Sequence, residues 1–210
     1  MNKRTTISLA IILLVLIIDQ SVKFWVKTHM NYGDLIPIIP GSSHAYIHFV
    51  ENPGMAFGME LGGIWGKILL TLLRIIFILA LGGGLHFLIK DKAPIPFIVA
   101  VSLILAGALG NIIDSIFYGV LFSASPYHGG VAQFLPPEGG YAPLLRGKVV
   151  DMFYFPLIRT TLPEWVPFFG GEPFVFFRPV FNVADSAISI GVVSILLFMR
   201  KTFNRYAKPA

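Results

Sequence analysis

Two aspartates stand in otherwise apolar runs. Asp151 falls in Gly147-Lys148-Val149-Val150-Asp151-Met152-Phe153, and Asp185 lies about one helical turn into the apolar stretch opened by Phe181-Asn182-Val183-Ala184. Two carboxylates brought together in a poorly solvated site cannot both ionise cheaply, so they share a proton. Such a pair offers a base and an acid at once, as hydrolysis of a peptide bond by water requires. The same acids could form the proton relay of a small transporter or channel, or serve packing alone. Residue types by themselves leave these readings open.

Further polar residues share the apolar surroundings. A carboxylate at the centre of a bilayer costs about 2.5–3.5 kcal/mol on insertion scales, so each one needs a reason. Asp19 and Lys23 are spaced i,i+4 and can neutralise each other on one helix face, most simply as a packing ion pair. Asn111 and Asp114 are spaced i,i+3 at the end of Gly107-Ala108-Leu109-Gly110, whose small residues permit close helix approach. Asn182 and Asp185 repeat the Asn-x-x-Asp spacing, and Asn182 alone could cap a helix. Arg74, inside an apolar run, must snorkel or pair with a buried acid. His44 and His48 lack an acidic third ligand, which disfavours a metal site. No His-Glu-x-x-His, Gly-x-Ser-x-Gly or P-loop occurs.

The elements that must position these residues are membrane spans. Of 210 residues, 55% are hydrophobic and only 13% charged, against about 25% charged in soluble domains. Disorder is excluded by the same figures. With no cysteine, disulfides and thiolate chemistry are excluded too. Four segments are long enough to cross about 30 Å of hydrocarbon: about 7–26, 65–89, 94–118 and 181–199. The first leads into Asp19-Gln20 without a small-residue cleavage site and reads as a retained anchor. Half of the 16 basic residues flank these spans on one side: Lys3, Arg4, Lys90, Lys92, Arg200, Lys201, Arg205 and Lys208. The positive-inside rule then places both termini in the cytoplasm, and the basic charge is a topology signal, not a nucleic-acid footprint.

Two longer segments, about 28–64 and 119–178, face outward in that arrangement. Alternation around Tyr46-Ile47-His48-Phe49-Val50 suits short strands. The Gly/Pro-rich stretch 119–147 is expected to be irregular and mobile. Residues 160–178, with Trp165, Phe168 and Phe169, suit either an amphipathic lid at the lipid interface or a packed loop. The expected fold is a single membrane α-helical domain: a four-helix bundle, a small extracytoplasmic β-rich platform and a mobile outer lid.

Five blocks in order resemble the lipoprotein signal peptidases, or type II signal peptidases, of bacteria. They are Asp19-Gln20-x-x-Lys23, Asn52-Pro53-Gly54-Met55-Ala56-Phe57, Gly107-x-x-Gly110-Asn111-x-x-Asp114, Val149-Val150-Asp151 with Phe153, and Phe181-Asn182-x-Ala184-Asp185-x-x-Ile188. The resemblance implies an intramembrane aspartic endopeptidase, with Asp151 and Asp185 as its catalytic pair and no metal or other cofactor. It would cut signal peptides from prolipoproteins just before a diacylglyceryl-modified cysteine, in the bacterial inner membrane. Asn52, Gly54, Asn111 and Asn182 match positions that line or support the substrate site. Asp114 and Ala184 belong to the same blocks, and Asp19 and Lys23 match a supporting role near the outer mouth. Partners are then the modified prolipoproteins and membrane lipid, with a monomer expected and no nucleic acid.

The chain departs from the resemblance twice. Ser115 follows Asp114 where the family usually has Arg, leaving Arg146, Lys148 or Arg178 as candidates for that charge. The 37 positions from Asp114 to Asp151 are many more than in compact members. Residues 119–147 are the excess, expected outside the membrane with the pair's geometry intact.

Overall fold

The computed structural model describes residues 2–53, 63–127 and 129–207, so the expectations for Gly54 and Met55-Ala56-Phe57 fall outside the described residues. Among the described residues, three helices are long and apolar enough to cross a membrane. They are α1 (Lys3–His29), α2 (Gly63–Lys90) and α3, which runs Ile95–Ile113 and continues through a π-type turn, Asp114–Tyr118, into the short α4 (Gly119–Leu121). The fourth span is a bent pair. Helix α5 (Val183–Phe198) has 16 residues and turns by 94° into α6 (Arg200–Ala207). The expected span 181–199 thus has its bend at its very end. Arg200, Lys201 and Arg205, expected to follow the span, lie in this second helix.

Side-chain exposure follows the solvent. Leu13, Ile17 and Leu79 expose 57%, 64% and 70% of their surface, as lipid-facing residues of a span should. Small residues set the closest approaches. A Cβ on Gly110 would lie 2.6 Å from Asp19 Oδ2 and 3.1 Å from the Ala184 Cβ, so α1, α3 and α5 meet here only because residue 110 has no side chain. One apolar core, including Leu85, Phe97, Ile98, Val101 and Ile195, fills the end of the bundle near the α2–α3 turn.

At the other end sits a four-stranded antiparallel sheet of order β1-β2-β3-β6: Leu35–Pro37, Tyr46–Asn52, Val149–Tyr154 and Val180–Phe181. The expected platform is this sheet. Its faces are set by the two-residue period of a strand. Val150 and Met152 of β3 point into a second core with Val26, Met30, Phe49, Tyr118 and Phe122. Asp151 must therefore point to the opposite face, where Val50 stands beside it in register. Strands β4 (Ile158–Thr161) and β5 (Pro173–Phe176) form a separate hairpin whose tip exposes Trp165, Phe168 and Phe169.

Residues 119–147 are irregular, as composition implies, but they pack down on the bundle end. Leu145 N–H donates to the Ile116 carbonyl at 3.1 Å and Gly147 N–H to the Ser115 carbonyl at 2.9 Å, so the segment retraces the end of α3. Phe122 is buried and Tyr141 lies over the ammonium groups of Lys27 and Lys148. The aromatic residues interrupting the Gly/Pro pattern provide this anchorage.

Candidate functional site

Helix α5 begins with a reciprocal cap. The Asn182 side-chain oxygen accepts from Asp185 N–H at 2.9 Å, while Asp185 Oδ2 accepts from Asn182 N–H at 3.3 Å. This is a capping box built from Asn and Asp. Asp185 therefore also has a structural duty, which its place in an apolar run conceals. The box aims the Asn182 amide away from the helix. Its Nδ2 donates to Asp151 Oδ1 at 2.7 Å and to Asn111 Oδ1 at 3.0 Å, while Asn111 Nδ2 donates to Asp185 Oδ1 at 2.8 Å. Two asparagines thus link the two aspartates, and the Asn52 side chain, from the end of β2, also hydrogen-bonds to Asp151. The donor and acceptor ends of both amides are dictated by this circuit.

Beneath the pair lies a buried charge cluster. Lys23 Nζ is 2.9 Å from Asp19 Oδ2, from Asp114 Oδ2 and from Asn111 Oδ1. Asp19 Oδ1 accepts from Ala184 N–H at 2.9 Å, Asp114 Oδ2 from Val150 N–H at 3.1 Å, and Gln20 Nε2 donates to Asp114 Oδ1 at 2.9 Å. Asp19 and Lys23 are more than a two-residue packing pair. They tie α1 to the start of α5, and Asp114 ties α3 to the backbone of β3 one residue before Asp151. The π-type turn at Asp114–Tyr118 turns Asp114, Ser115 and Tyr118 inward together.

The two aspartates differ in environment. Asp151 is 4% exposed, whereas Asp185 is only partly buried. Burial, then the neighbouring Asp185 charge, push the Asp151 carboxyl up to about 7, against the pull of Lys23, Asn182 and Asn52. At neutral pH the Asp151 carboxyl is therefore poised between its protonated and ionised forms.

Of the residues expected at the site, Asp151, Asp185, Asn52, Asn111, Asp114, Asn182, Ala184, Asp19 and Lys23 converge here. His44 and His48, which the sequence did not assign to the site, lie elsewhere: His44 bonds to the Pro156 carbonyl and His48 packs on Tyr154. Ser115 donates its hydroxyl to the Asn111 carbonyl at 3.0 Å, supporting the site without a charge. Arg178, just beyond β5, bonds back to the Pro173 carbonyl at its start. The base whose charge acts on both Asp185 and Asp151 is instead Arg74 of α2. Its sequence signal is its spacing from Lys67 and Thr71, which places all three on one helix face. Gln20 was similarly legible only as a polar neighbour of Asp19.

Comparison with known proteins gives a consistent result. The family model described as signal peptidase (SPase) II matches residues 11–201. A lipoprotein signal peptidase of Porphyromonas gingivalis is 51% identical over 199 residues, covering 93% of this chain and 83% of its own. One from Amoebophilus asiaticus is 37% identical over 206 residues, covering 98% and 82%. One from Staphylococcus haemolyticus is 32% identical over 200 residues, covering 95% and 94%. Two solved bacterial membrane enzymes superpose with TM-scores of 0.59 and 0.57. At 29% and 27% identity they cover 92% and 97% of this chain, and 92% and 93% of their own.

Proposed function

The chain belongs to the signal peptidase II family, the aspartic peptidases that remove signal peptides from prolipoproteins, and from this premise we propose that Asp151 and Asp185 are its catalytic pair. The observation that carries the assignment is the Asn111–Asn182 circuit, which bonds to both carboxylates at once. A pair with one proton suits both halves of the reaction. The ionised carboxylate takes a proton from water as its oxygen attacks the scissile carbonyl. The protonated one gives its proton to the leaving amide nitrogen, so the C–N bond breaks without a charged amine leaving.

The surrounding residues hold this arrangement. Asn182 and Asn111 fix the two carboxylates, and Asn52, at the end of the β2–β3 pairing and bonded to Asp151, would offer its amide to an extended peptide backbone. Lys23, neutralised by Asp19 and Asp114, locks three helices beneath the pair without adding net positive charge. The substrate class within the family role is the prolipoprotein whose cysteine carries a diacylglyceryl group, cut just before that cysteine. The protein is a multi-pass inner-membrane enzyme formed by one domain over 1–210. Both termini are cytoplasmic, with the sheet and the hairpin outside, in keeping with the basic residues at Lys3, Arg4, Lys90, Lys92 and α6.

Cleavage in ¹⁸O-labelled water tests the chemistry. One labelled oxygen is expected in the new carboxylate of the released signal peptide, with no adduct on the enzyme. A covalent acyl-enzyme, or equal cutting of the precursor without its diacylglyceryl group, would refute the reading.

A further inference from the structure

The inward face of α2 changes character along its length. Ile78, Leu81 and Leu85 pack in or against the apolar core, and the same i, i+3/i+4 stripe continues toward the sheet as Arg74, Thr71 and Lys67. Thr71 is buried and donates its hydroxyl to the Leu145 carbonyl at 3.1 Å, which seats this half of α2 against the segment entering β3. That segment carries Arg146 and Lys148. The like charges acting on Lys67 are Lys148, Arg74 and Arg146, and the opposite one is Glu51.

Glu51 is already engaged. Lys27, fully buried, pairs with Oε1, Ser125 donates to the same oxygen at 2.8 Å, and Lys148 reaches Oε2 at 3.2 Å. Among the described residues, neither Lys67 nor Arg146 makes an ion pair. Positive charge therefore accumulates on the sheet side of the catalytic pair, beside the strand that carries Asp151.

The chemistry of the substrate indicates what passes there. An apolar signal segment stays among the helices and lipid, so the chain beyond the cleaved bond leaves on the sheet side. We propose that Lys67 and Arg146, with Lys148 beside them, form a subsite for acidic side chains in the few residues that follow the modified cysteine. This inference rests on the peptidase reading above and adds a specificity to it. A partly exposed cation–carboxylate contact multiplies affinity by about two- to fivefold and is weakened by salt.

The test uses full-length enzyme in neutral phosphatidylcholine vesicles and two diacylglyceryl-modified peptides. They differ only in carrying two glutamates or two glutamines after the cysteine. The expected result is a several-fold lower KM for the acidic peptide at low salt, lost at high salt and lost in Lys67→Gln/Arg146→Gln. Lys67→Glu/Arg146→Glu should reverse the order in favour of a two-lysine peptide, an outcome that a folding defect cannot produce. Equal KM values for the wild-type enzyme would overturn the subsite while leaving the peptidase reading intact. Failure to cut either peptide would instead strike at that reading. If the variants alter only the response to added phosphatidylglycerol, the cluster serves lipid headgroups and the proposal falls.

Discussion

Replacing Asp151 by Asn should abolish cleavage and yet stabilise the fold, by an amount that depends on pH. The carboxyl sits at about 7 in the folded protein, against its ordinary 3.8, because burial and Asp185 oppose its charge. A carboxyl raised on folding is fully compatible with the fold below its unfolded value. It removes stability as pH climbs from there through its folded value. Three pH units correspond to a cost of about 4 kcal/mol well above pH 7. At pH 5 the folded carboxyl is protonated and only the unfolded one ionises, so the cost there is about 1.5 kcal/mol. Asparagine does not titrate and keeps an oxygen to accept from Asn182 Nδ2. The variant's advantage should therefore grow by about 2.5 kcal/mol between pH 5 and pH 9, or about 5–10 °C in Tm. The assay is thermal unfolding in detergent, followed by the fluorescence of Trp25, Trp65 and Trp165, for both proteins at both pH values. A Tm difference that is the same at pH 5 and pH 9 would refute the reasoning that burial holds this proton.

Three other perturbations separate the parts of the site. Asn182→Ala removes both the α5 cap, worth about 1 kcal/mol, and the amide that holds Asp151. Cleavage of a modified precursor should fall by about 10- to 100-fold while Tm drops only a few degrees. Lys23→Met strands Asp19 and Asp114 as buried carboxylates, a loss of about 3–5 kcal/mol. Unfolding in detergent should show a large fall in Tm, partly restored by adding Asp114→Asn. Gly110→Ala places a methyl 2.6 Å from Asp19 Oδ2, and overpacking of this kind costs about 1–3 kcal/mol. Thermal unfolding should register it as a loss, whereas Gly83→Ala, in mid-helix with open space around its Cβ, should cost nothing and gain up to about 1 kcal/mol.

Patterns that physics makes local were legible in the sequence. Apolar length gave α1, α2 and α3, and alternation gave β2, because span thickness and strand period leave few alternatives. The site residues Asp19, Lys23, Asn111, Asp114, Asp151, Asn182 and Asp185 were visible as polar groups where lipid or core demands apolar ones. Their partners were not, because a side chain's long-range bonds depend on chain crossings that spacing does not encode. Lys23 meets Asp114 across 91 positions, and Asp19 meets the backbone of Ala184 across 165. The 94° bend at Met199 was hidden for another reason. It falls where the apolar run meets Arg200-Lys201, so hydropathy marks the end of the span but not that the chain turns there into a second helix. Arg74 was noticed but left without a role, since its acids belong to β3 and α5.

The central claim is that Asp151 and Asp185 act together, and a gel-shift cleavage assay on a diacylglyceryl-modified prolipoprotein tests it most directly. Purified Asp151→Asn and Asp185→Asn, each shown by thermal unfolding to be folded, should each leave the precursor uncut under conditions where the wild-type enzyme consumes it. Processing of the precursor by either folded variant at a rate near that of the wild type would contradict the account.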